Sequence, residues 1–417
     1  MTRYVIVGNS AAGLSAAQAI REMDRHSQVT ILSEEGSWAY ARVSLSWLVE
    51  GTISHESLFF RRADFYDRWG ILLETEQQVV QVLPDERVVH TAAGCTYPYD
   101  RLLIATGSRA RPLNVPGAGL DGVHVLRSLT DAEALRARIE NSRSALVIGG
   151  GLVGIKSAEA LLRRGVHVQI VVSSRRVLSQ VLNAEVADVM ADRLRAAGIV
   201  VKYGVDVERF DGVRGQLQSA RLSDGTWVPC EVAIVAKGVM PNRELVEQTG
   251  ITTKRGIVVD PAQRTSIPHV YAAGDVAESF DLAMGASDVC PNWPTALRQG
   301  RVAGTNMAGG AATYPGNLRA NVAAIEGLSF GSVGDVGGQD GVDVYSRGPD
   351  KHGRGCWLYV RDRHLIGAVL SGDIAGLHCL EWLIRQQQPL HVPVERLLSQ
   401  PQHYVMYAHR REATTRE

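Results

Sequence analysis

Two glycine-rich segments, each lying between a β-branched run and an alanine-rich run, constrain this chain more than any other feature. The first spans Gly8 to Gly13 after the strand-like run 4–7, and the second contains Gly149, Gly151 and Gly154 after a similar run. A glycine turn between a strand and a helix lets the backbone approach a pyrophosphate, whose charge then lies at the helix N-terminus. Because the pattern occurs twice, the sequence predicts two bound nucleotides.

Each glycine turn is followed by a predicted helix and a second strand, and the residues after that strand differ between the two copies. After the first copy come Glu34 and Glu35, and Glu34 lies 21 residues beyond Gly13. A carboxylate at this position accepts both hydroxyls of an adenosine ribose. We therefore predict Glu34 as the ribose ligand, with Glu35 as the competing candidate.

In the second copy, serine and arginine take the place of the acid. Ser173 and Ser174 stand where a carboxylate would select NAD, and Arg175 and Arg176 follow immediately. Arginines at this position suit the 2′-phosphate of NADP, but an exposed basic loop would have the same composition. The sequence leaves NAD and NADP both open.

Composition narrows the class of partner. Lys plus Arg equals Asp plus Glu at 44 each, so no overall charge favours nucleic acid or an anionic membrane surface. No run approaches the length of a membrane span. The five cysteines are widely spaced and never form a CxxC pair, which favours a reducing cytoplasm and provides no zinc or iron–sulfur ligand set.

The order of the predicted elements indicates an α/β protein with two Rossmann-like, three-layer nucleotide-binding domains and a C-terminal α+β domain. We assign the first domain to 1–112 and 243–314, the second to 113–242 and the third to 315–417. The runs 200–203, 218–222 and 231–236 predict a small antiparallel accessory sheet in the second domain. The tail 409–417 is expected to fray, since Ala413 is its only apolar residue.

Two further motifs extend the pattern: Ile104-Ala105-Thr106-Gly107 and Tyr271-Ala272-Ala273-Gly274-Asp275. Together with the glycine turns they resemble the FAD-dependent pyridine nucleotide-disulfide oxidoreductase superfamily over residues 1 to about 310. The segment 40–46, and Asn292-Trp293-Pro294 with Gln299-Gly300, are similar to the branch of nitrite reductase flavin domains, rubredoxin reductases and ferredoxin reductases. The chain length also resembles FAD subunits that couple NAD to phenylglyoxylate dehydrogenases or tungsten aldehyde oxidoreductases.

The resemblance implies which residues hold the cofactors. For FAD they are Gly8, Ser10, Ala11, Ala12, Gly13, Glu34, Glu35, Arg42, Val79, Ala105, Thr106, Gly107, Arg127, Gly274, Asp275 and Trp293. For NAD(P) they are Gly149, Gly151, Leu152, Val153, Gly154, Ser173, Arg175 and Gly238. Within the FAD set, Val79 would meet adenine through its backbone, Arg42 and Arg127 would approach phosphates, and Asp275 would accept a ribityl hydroxyl. Asp275 is alternatively an N-cap of a following helix, and both roles can hold at once.

The sequence departs from this family pattern at three positions. Ser10 replaces a glycine of the first turn, where its hydroxyl can donate to the pyrophosphate. Lys156 replaces a glutamate that reaches toward nicotinamide and flavin, so it is either a cation near the flavin or an exposed helix lysine. Trp47 replaces a lysine, and either shields the flavin or fills core.

The chemistry expected is hydride transfer between nicotinamide and flavin, with no side chain assigned as a catalytic acid or base. Residues 34–60 contain no cysteine, which disfavours a disulfide relay. Because the chain carries no metal centre, we expect an iron–sulfur protein as its electron-transfer partner, in a multi-subunit oxidoreductase. The alternatives are a stand-alone rubredoxin or ferredoxin reductase and an NAD(P)H oxidase. The C-terminal domain would make a homodimer or bind another chain, with Trp357, Trp382 and Leu383 as anchors or as core.

Overall fold

The computed structural model describes residues 1–62, 64–338 and 340–403. Its strands are β1 (Arg3–Val7), β2 (Gln28–Leu32), β3 (Ile71–Glu74), β4 (Val79–Leu83), β5 (Val88–Thr91), β6 (Thr96–Pro98), β7 (Arg101–Ile104), β8 (Ser108–Ala110), β9 (Val123–His124), β10 (Ser144–Ile148), β11 (His167–Val172), β12 (Val200–Tyr203), β13 (Val207–Val213), β14 (Gln216–Leu222), β15 (Trp227–Pro229), β16 (Val232–Val235), β17 (Val239–Pro241), β18 (Ile257–Val258), β19 (Val270–Ala272), β20 (Ala277–Asp281), β21 (Ala286–Val289), β22 (Ala320–Ile325), β23 (Leu328–Gly334), β24 (Asp343–Arg347), β25 (Gly355–Arg361) and β26 (His364–Ser371). Its α-helices are α1 (Ala11–Met23), α2 (Leu45–Glu50), α3 (Phe65–Arg68), α4 (Leu129–Ile139), α5 (Leu152–Arg163), α6 (Ala184–Ala196), α7 (Trp293–Met307), α8 (Leu377–Gln386) and α9 (Val394–Ser399).

The chain forms two compact units, each assembled from separated segments. The first unit comprises Met1–Val43, His55–Arg109 and Val239–Leu318. The second comprises Ser44–Ser54, Ala110–Gly238 and the chain from Arg319 onward. The short segment Ser44–Ser54, which contains α2, therefore belongs to the unit of the second glycine turn, and the C-terminal region is counted in the same unit.

The first unit is built on a parallel sheet with the strand order β19-β7-β1-β2-β3. Helix α1 connects β1 to β2 and packs against α7 through two glycines of α7. A methyl group built at Gly300 or Gly304 would lie 2.2 Å from the carbonyl oxygen of Ala12 or Ala16, respectively. These small residues, four apart on each helix, let the two backbones touch. A second, antiparallel sheet consists of β4, β5 and β6.

The second unit repeats the plan with a parallel sheet in the order β12-β11-β10-β16-β9. The prediction of an accessory sheet was wrong for two of its three runs. Strands β12 and β16 belong to this main sheet, and only β14 lies in the antiparallel sheet β13-β14-β15. All four residues of β16 are buried, and a fully buried parallel strand has the same short apolar run as an accessory strand.

The C-terminal region of the second unit contains the antiparallel sheet β22-β23-β26-β25-β24, with α8 beside it. The α+β composition expected for this region is confirmed. Trp357 and Leu383 are buried, so both fill core, whereas Trp382 is exposed. The Trp357 indole Nε1 donates to the Glu185 carboxylate at 2.7 Å. The predicted fraying of 409–417 concerns residues outside those the structure describes.

Candidate cofactor-binding sites

The first glycine turn is shaped by close backbone contacts that only glycine permits. Gly8 has a φ of 122°, and a methyl group on it would lie 2.1 Å from the Ala105 carbonyl oxygen. A methyl group on Gly13 would lie 2.0 Å from the Gly8 carbonyl oxygen. Ser10 is the N-cap of α1, and its side chain makes no capping hydrogen bond. The first N–H groups of α1, at Ala11 and Ala12, have no partner within the helix and are suited to an anion.

The acids after β2 have different surroundings. Glu35 accepts a hydrogen bond from the Tyr40 hydroxyl at 2.6 Å and is ion-paired with Arg42. The Arg42 guanidinium also lies 4.9 Å from the centre of the Tyr40 ring. Burial lowers the pKa of Arg42, but Tyr40 and Glu35 raise it more, so the net shift is upward. Glu34 is exposed, which leaves its carboxylate accessible to a ribose.

A hydrogen-bonded chain that the sequence did not indicate supports the same turn. The Tyr66 hydroxyl donates to Asn9 Oδ1 at 2.8 Å and accepts from the Ala39 backbone N–H at 3.2 Å. Asn9 Nδ2 donates to the Ser37 carbonyl at 3.4 Å. Asn9 therefore ties the glycine turn to the loop that carries Glu34. Tyr66 lies far along the chain, so no local pattern could have revealed this contact.

The motif 104–107 ends where the chain approaches the boundary of the first unit. The Thr106 hydroxyl donates to the Asn242 carbonyl at 2.8 Å, and Asn242 Nδ2 donates back to the Thr106 carbonyl at 3.0 Å. Gly107 has a φ of 67°, and its carbonyl accepts from the Asn242 backbone N–H at 2.9 Å. Asn242, which lies far along the chain, therefore holds Thr106 and Gly107 in place, and the contact of these two residues with FAD stays a prediction.

The Gly-Asp motif forms a turn between two strands. Gly274 has a φ of 84°, and the Asp275 carboxylate accepts from the Ser108 hydroxyl at 2.7 Å. The N-cap alternative for Asp275 was wrong, because β20 begins at Ala277 and no helix follows directly. Asp275 therefore owes its position to Ser108 and to the turn itself, and its role at the ribityl chain stays a prediction.

Three other predicted FAD ligands lie in different settings. Val79 is the half-buried first residue of β4. Trp293 begins α7, and its ring packs edge-to-face on Phe60 with 5.2 Å between centroids. Arg127 lies in the second unit, where its backbone N–H donates to Asp131 at 2.9 Å. Their contacts with FAD stay predictions.

The second glycine turn repeats the geometry of the first. Gly149 has a φ of 120°, and a methyl group on it would lie 2.3 Å from the Ala236 carbonyl oxygen. A methyl group on Gly154 would lie 2.1 Å from the Gly149 carbonyl oxygen. Gly151, the N-cap of α5, has no atom within 4 Å of the corresponding methyl position. Its open surroundings leave room for a phosphate beside the first turn of α5.

The remaining predicted NAD(P) ligands surround this turn. Leu152 and Val153 open α5, and Val153 is half exposed. Gly238, with a φ of 87°, follows β16 and has open space at its methyl position. Ser173 and Arg175 are exposed after β11.

The two arginines of the loop after β11 differ in their partners. The Arg176 guanidinium is 3.2 Å from the Asp188 carboxylate, whereas Arg175 has no ion pair within the described residues. The contact of Arg175 with a 2′-phosphate stays a prediction.

The Lys156 side chain is 24% exposed and is paired with a buried acid, so the alternative of an exposed helix lysine was wrong. Its ammonium Nζ is 2.7 Å from Glu159 Oε2 and 2.8 Å from the Ala324 carbonyl. Glu159 is 1% exposed, and its Oε1 accepts from the Glu326 backbone N–H at 3.0 Å. Burial and the neighbouring Glu159 raise the pKa of the Glu326 carboxyl. A role of Lys156 near flavin stays a prediction, with its ammonium already bound to Glu159.

Residues around α2 also join α5. The Glu50 carboxylate is 2.8 Å from the Arg163 guanidinium. Trp47 of the same helix is 46% exposed, so the core-filling alternative for this residue was wrong.

None of the five cysteines is disulfide-bonded. Burial raises the pKa of both the Cys230 and the Cys356 thiols to about 12, and it also raises the pKa of Cys379. Cys290 is buried, and Cys95 is the exposed one. Buried thiols with raised pKa values are poor nucleophiles, so these sites do not resemble a thiol relay.

Both turns fit the nucleotides predicted for them. In each turn the first glycine, Gly8 or Gly149, lies so close to a neighbouring backbone that an added Cβ would clash. Each turn is followed by the N-terminus of a helix of at least twelve residues. The first has an acid at the ribose position, as FAD requires, and the second has the open Gly151 backbone. Within the described residues, no helix is long and apolar enough to cross a membrane.

Comparison with known proteins agrees with this geometry. Subunit epsilon of the NADH-dependent phenylglyoxylate dehydrogenase of Aromatoleum evansii is 32% identical over 355 residues, 85% of this chain and 84% of that protein. A nitrite reductase [NAD(P)H] of Bacillus subtilis is 29% identical over 373 residues, 89% of this chain and 46% of the relative. This chain therefore spans about half the length of that relative.

A solved ferredoxin reductase from Rhodopseudomonas palustris superposes with a TM-score of 0.87 at 28% identity, covering 94% of this chain and 96% of that one. The family model described as pyridine nucleotide-disulphide oxidoreductase matches residues 2–300. The match confirms the predicted α/β class and the predicted cofactors, FAD and a pyridine nucleotide. With most of its length matched and both glycine turns in place, the chain belongs to the pyridine nucleotide-disulphide oxidoreductase family.

Proposed function

We propose that this protein is an FAD-dependent oxidoreductase that exchanges hydride with NAD(P) and single electrons with an iron–sulfur protein. The observation that carries the proposal is the combination of two nucleotide turns with a cysteine-free segment 34–60. A disulfide reductase of this family needs a thiol in that segment, whereas this chain has Ser44 and Ser46 there. Electrons must then leave through the cofactor rather than through a protein thiol.

Bound FAD would supply a centre that accepts two electrons as hydride and releases them one at a time. The protein's own residues would bind and orient. The N–H groups at the start of α1 would hold the pyrophosphate, and Glu34 would accept the ribose hydroxyls. Asp275, held by Ser108 at 2.7 Å, would accept a ribityl hydroxyl. No side chain needs to exchange a proton with the nicotinamide.

We propose further that the electron acceptor or donor is another chain of a redox complex. The relative that matches over 84% of its own length is named as a subunit of an NADH-dependent dehydrogenase, which supports a coupling role for this chain. A stand-alone ferredoxin or rubredoxin reductase and an oxidase are the alternatives. The absence of disulfides among the five cysteines supports a reducing cytoplasm as the location.

Anaerobic mixing tests the central step. FAD-loaded protein is mixed with NADH or NADPH, and the visible flavin absorbance is followed. We expect at least one nucleotide to bleach the flavin, and a [2Fe–2S] ferredoxin added afterwards to be reduced. An aromatic disulfide added in its place should not be reduced beyond the rate of free FAD. If neither nucleotide bleaches the flavin, the proposed electron transfer is wrong.

A matched variant controls this experiment. Gly154→Ala places a methyl group 2.1 Å from the Gly149 carbonyl in the second turn and leaves the first turn unchanged. Its flavin should stay bound but no longer be bleached. If this variant is bleached at the wild-type rate, the second turn is not the pyridine nucleotide site.

Purification from native cells with a tag on this chain tests the partner. Co-purifying subunits that contain iron, molybdenum or tungsten would support the coupling role. A metal-free preparation without companions that still reduces ferredoxin would favour the stand-alone reductase, and one that reduces only oxygen would favour the oxidase.

A further inference from the structure

Gln299 is a fully buried side chain in the middle of α7, and all of its described hydrogen bonds are within the first unit. Its Oε1 accepts from the Gly274 backbone N–H at 2.8 Å. Its Nε2 donates to Ser279 Oγ and to Asn317 Oδ1, both at 3.1 Å. Because a backbone N–H requires an acceptor, the Gly274 contact fixes which end of the amide is oxygen. Gln299 therefore joins α7 to the Gly-Asp turn and to β20.

The outer end of this amide chain is anchored by Asn317, which is also fully buried. Asn317 Nδ2 donates to the carbonyls of Ser279 at 3.2 Å and of Asp288 at 2.8 Å. The Tyr314 hydroxyl donates to Asn317 Oδ1 at 3.2 Å. Fully bonded buried amides hold one geometry, because any rotation would leave a donor unsatisfied.

The residue after Gln299 brings the first glycine turn into the same junction. A methyl group on Gly300 would lie 2.2 Å from the Ala12 carbonyl oxygen, and one on Gly274 would lie 3.1 Å from the Ala12 Cβ. The first turn of α1, the Gly274 turn and α7 therefore meet at Ala12. Two parts of the predicted FAD site, one for the pyrophosphate and one for the ribityl chain, share a single support.

We propose that Gln299 is a positioning residue for FAD, which sets the spacing between the α1 N-terminus and Asp275 without touching the cofactor. Gln299 holds the backbone N–H of Gly274, the residue before Asp275, and Ser108 holds the Asp275 carboxylate at 2.7 Å. The proposal depends on FAD as the cofactor of the first unit and is independent of which protein accepts the electrons.

The test measures FAD affinity, visible circular dichroism of the bound flavin and the thermal midpoint of the FAD-free protein. Gln299→Met keeps the volume of the side chain but leaves the Gly274 N–H without its acceptor. We expect the FAD dissociation constant to rise at least about tenfold, with an altered flavin dichroism. Tyr314→Phe is the matched control, because it removes a hydrogen bond at the outer end of the network. It should change FAD affinity by less than about threefold.

A purely structural role would lower the thermal midpoint and the FAD affinity in the same proportion in both variants, with the same flavin dichroism as wild type. That result would overturn the proposal. If Gln299→Met does not fold, Gln299→Glu replaces it. A protonated glutamic acid keeps the acceptor for the Gly274 N–H and one of the two donors of the amide, whereas the ionised carboxylate would face Asn317 Oδ1 with no donor.

The FAD affinity of Gln299→Glu is compared with that of wild type at each pH. The ratio of the two affinities should approach one at low pH and fall as pH rises. A ratio that does not change with pH would contradict the proposal. Because FAD binding is measured without pyridine nucleotide or iron–sulfur protein, failure of the proposed electron transfer would leave this test unaffected.

Discussion

The two glycine turns of this chain have the same backbone but different surroundings. In both, the first glycine has a φ near 120° and lies against a carbonyl oxygen of a neighbouring strand end, Ala105 or Ala236. In both, the last glycine lies against the carbonyl of the first. A pyrophosphate requires the same backbone geometry in both turns, whereas the side chains around each turn differ.

The divergence is clearest two residues after the last glycine. Ser15 follows Gly13 by two residues, and its hydroxyl donates to the Leu297 carbonyl of α7 at 2.8 Å. The equivalent residue of the second turn is Lys156, bound to the buried Glu159 and to the Ala324 carbonyl. Close to its glycine turn, the first helix is held by small residues and a neutral hydrogen bond, whereas the second helix is held there by charge. The backbone geometry of a phosphate-binding turn therefore does not determine which contacts hold the helix that follows it.

The largest expected effect comes from adding a methyl group to the last glycine of each turn. Gly13→Ala should lower the free energy of unfolding by about 3 kcal/mol and abolish FAD binding, because its Cβ would lie 2.0 Å from the Gly8 carbonyl oxygen. Gly154→Ala should abolish pyridine nucleotide binding and leave FAD bound. Urea unfolding and titration with each nucleotide measure both effects. Gly151→Ala is the control for stability, since nothing lies within 4 Å of its methyl position. Loss of FAD from Gly154→Ala would contradict the assignment of separate sites.

A second prediction concerns the charged support of α5. Glu159→Gln should destabilise the protein by about 3 kcal/mol, because Lys156 would lose the carboxylate that pairs with it in a mostly buried setting. Chemical denaturation at neutral pH measures this effect. Asp192→Asn removes an exposed pair with Arg195 and should cost under about 1 kcal/mol. Equal effects of the two substitutions would mean that Glu159 contributes no more than a surface ion pair.

The third prediction compares the two ribose positions. Glu34→Ala should weaken FAD binding by about 2 kcal/mol through loss of charge-assisted hydrogen bonds, with no effect on pyridine nucleotide. Arg175→Ala should weaken NADPH binding about tenfold and leave NADH binding unchanged. Fluorescence titration gives both constants.

Arg176→Ala is the matched control for Arg175, because the Arg176 guanidinium pairs with Asp188 at 3.2 Å. An equal loss of NADH and NADPH affinity in Arg175→Ala would argue against a 2′-phosphate contact and favour NAD.

The smallest effect is expected at the C-terminal end of α1. The Asp24 carboxylate accepts from the backbone N–H groups of Ser27 at 3.0 Å and His26 at 3.1 Å. Hydrogen bonds from Ser27, together with others, lower the pKa of Asp24 to about 2 from an ordinary value of 3.8. Since the folded pKa lies below the unfolded one, this stabilisation is complete above about pH 5 and is lost as pH falls toward 2.

Asp24→Asn should therefore be less stable than wild type at pH 7, by under about 1 kcal/mol because the site is open to solvent, and equal to it near pH 2. Unfolding curves at several pH values measure the difference. A difference that is constant with pH would show that the carboxylate charge is not involved. Helix α5 has Arg164 as its C-cap and no such acid.

The features that could be predicted from the sequence are those set by local chemistry. A glycine turn needs its glycines within six residues, and β1, α1, β2 and their second copies appear where the pattern predicts them. What could not be predicted depends on residues far apart in the chain. The Asn9–Tyr66 contact, the bond from Lys156 to the Ala324 carbonyl and the placement of β16 in the main sheet all require knowledge of which segments meet.

The N-cap predicted as the alternative for Asp275 was wrong because the conformation of the turn depends on residues far along the chain. A Gly-Asp pair after a strand is compatible with a helix N-cap or with a tight turn into another strand. The choice here is made by Gln299 and Ser108, which bind the turn from two other elements. The local sequence around Asp275 could not predict those two hydrogen bonds.

The way the two units share one polypeptide has a practical consequence for genetics and folding. Continuous chain passes between them after residues 43, 54, 109, 238 and 318, so no single cut separates the two units. A premature stop codon before the end of β21 would remove strands from both units. Each unit also needs segments that are synthesised long after its first strand. Because many of its contacts join residues far apart in the chain, we expect slow folding.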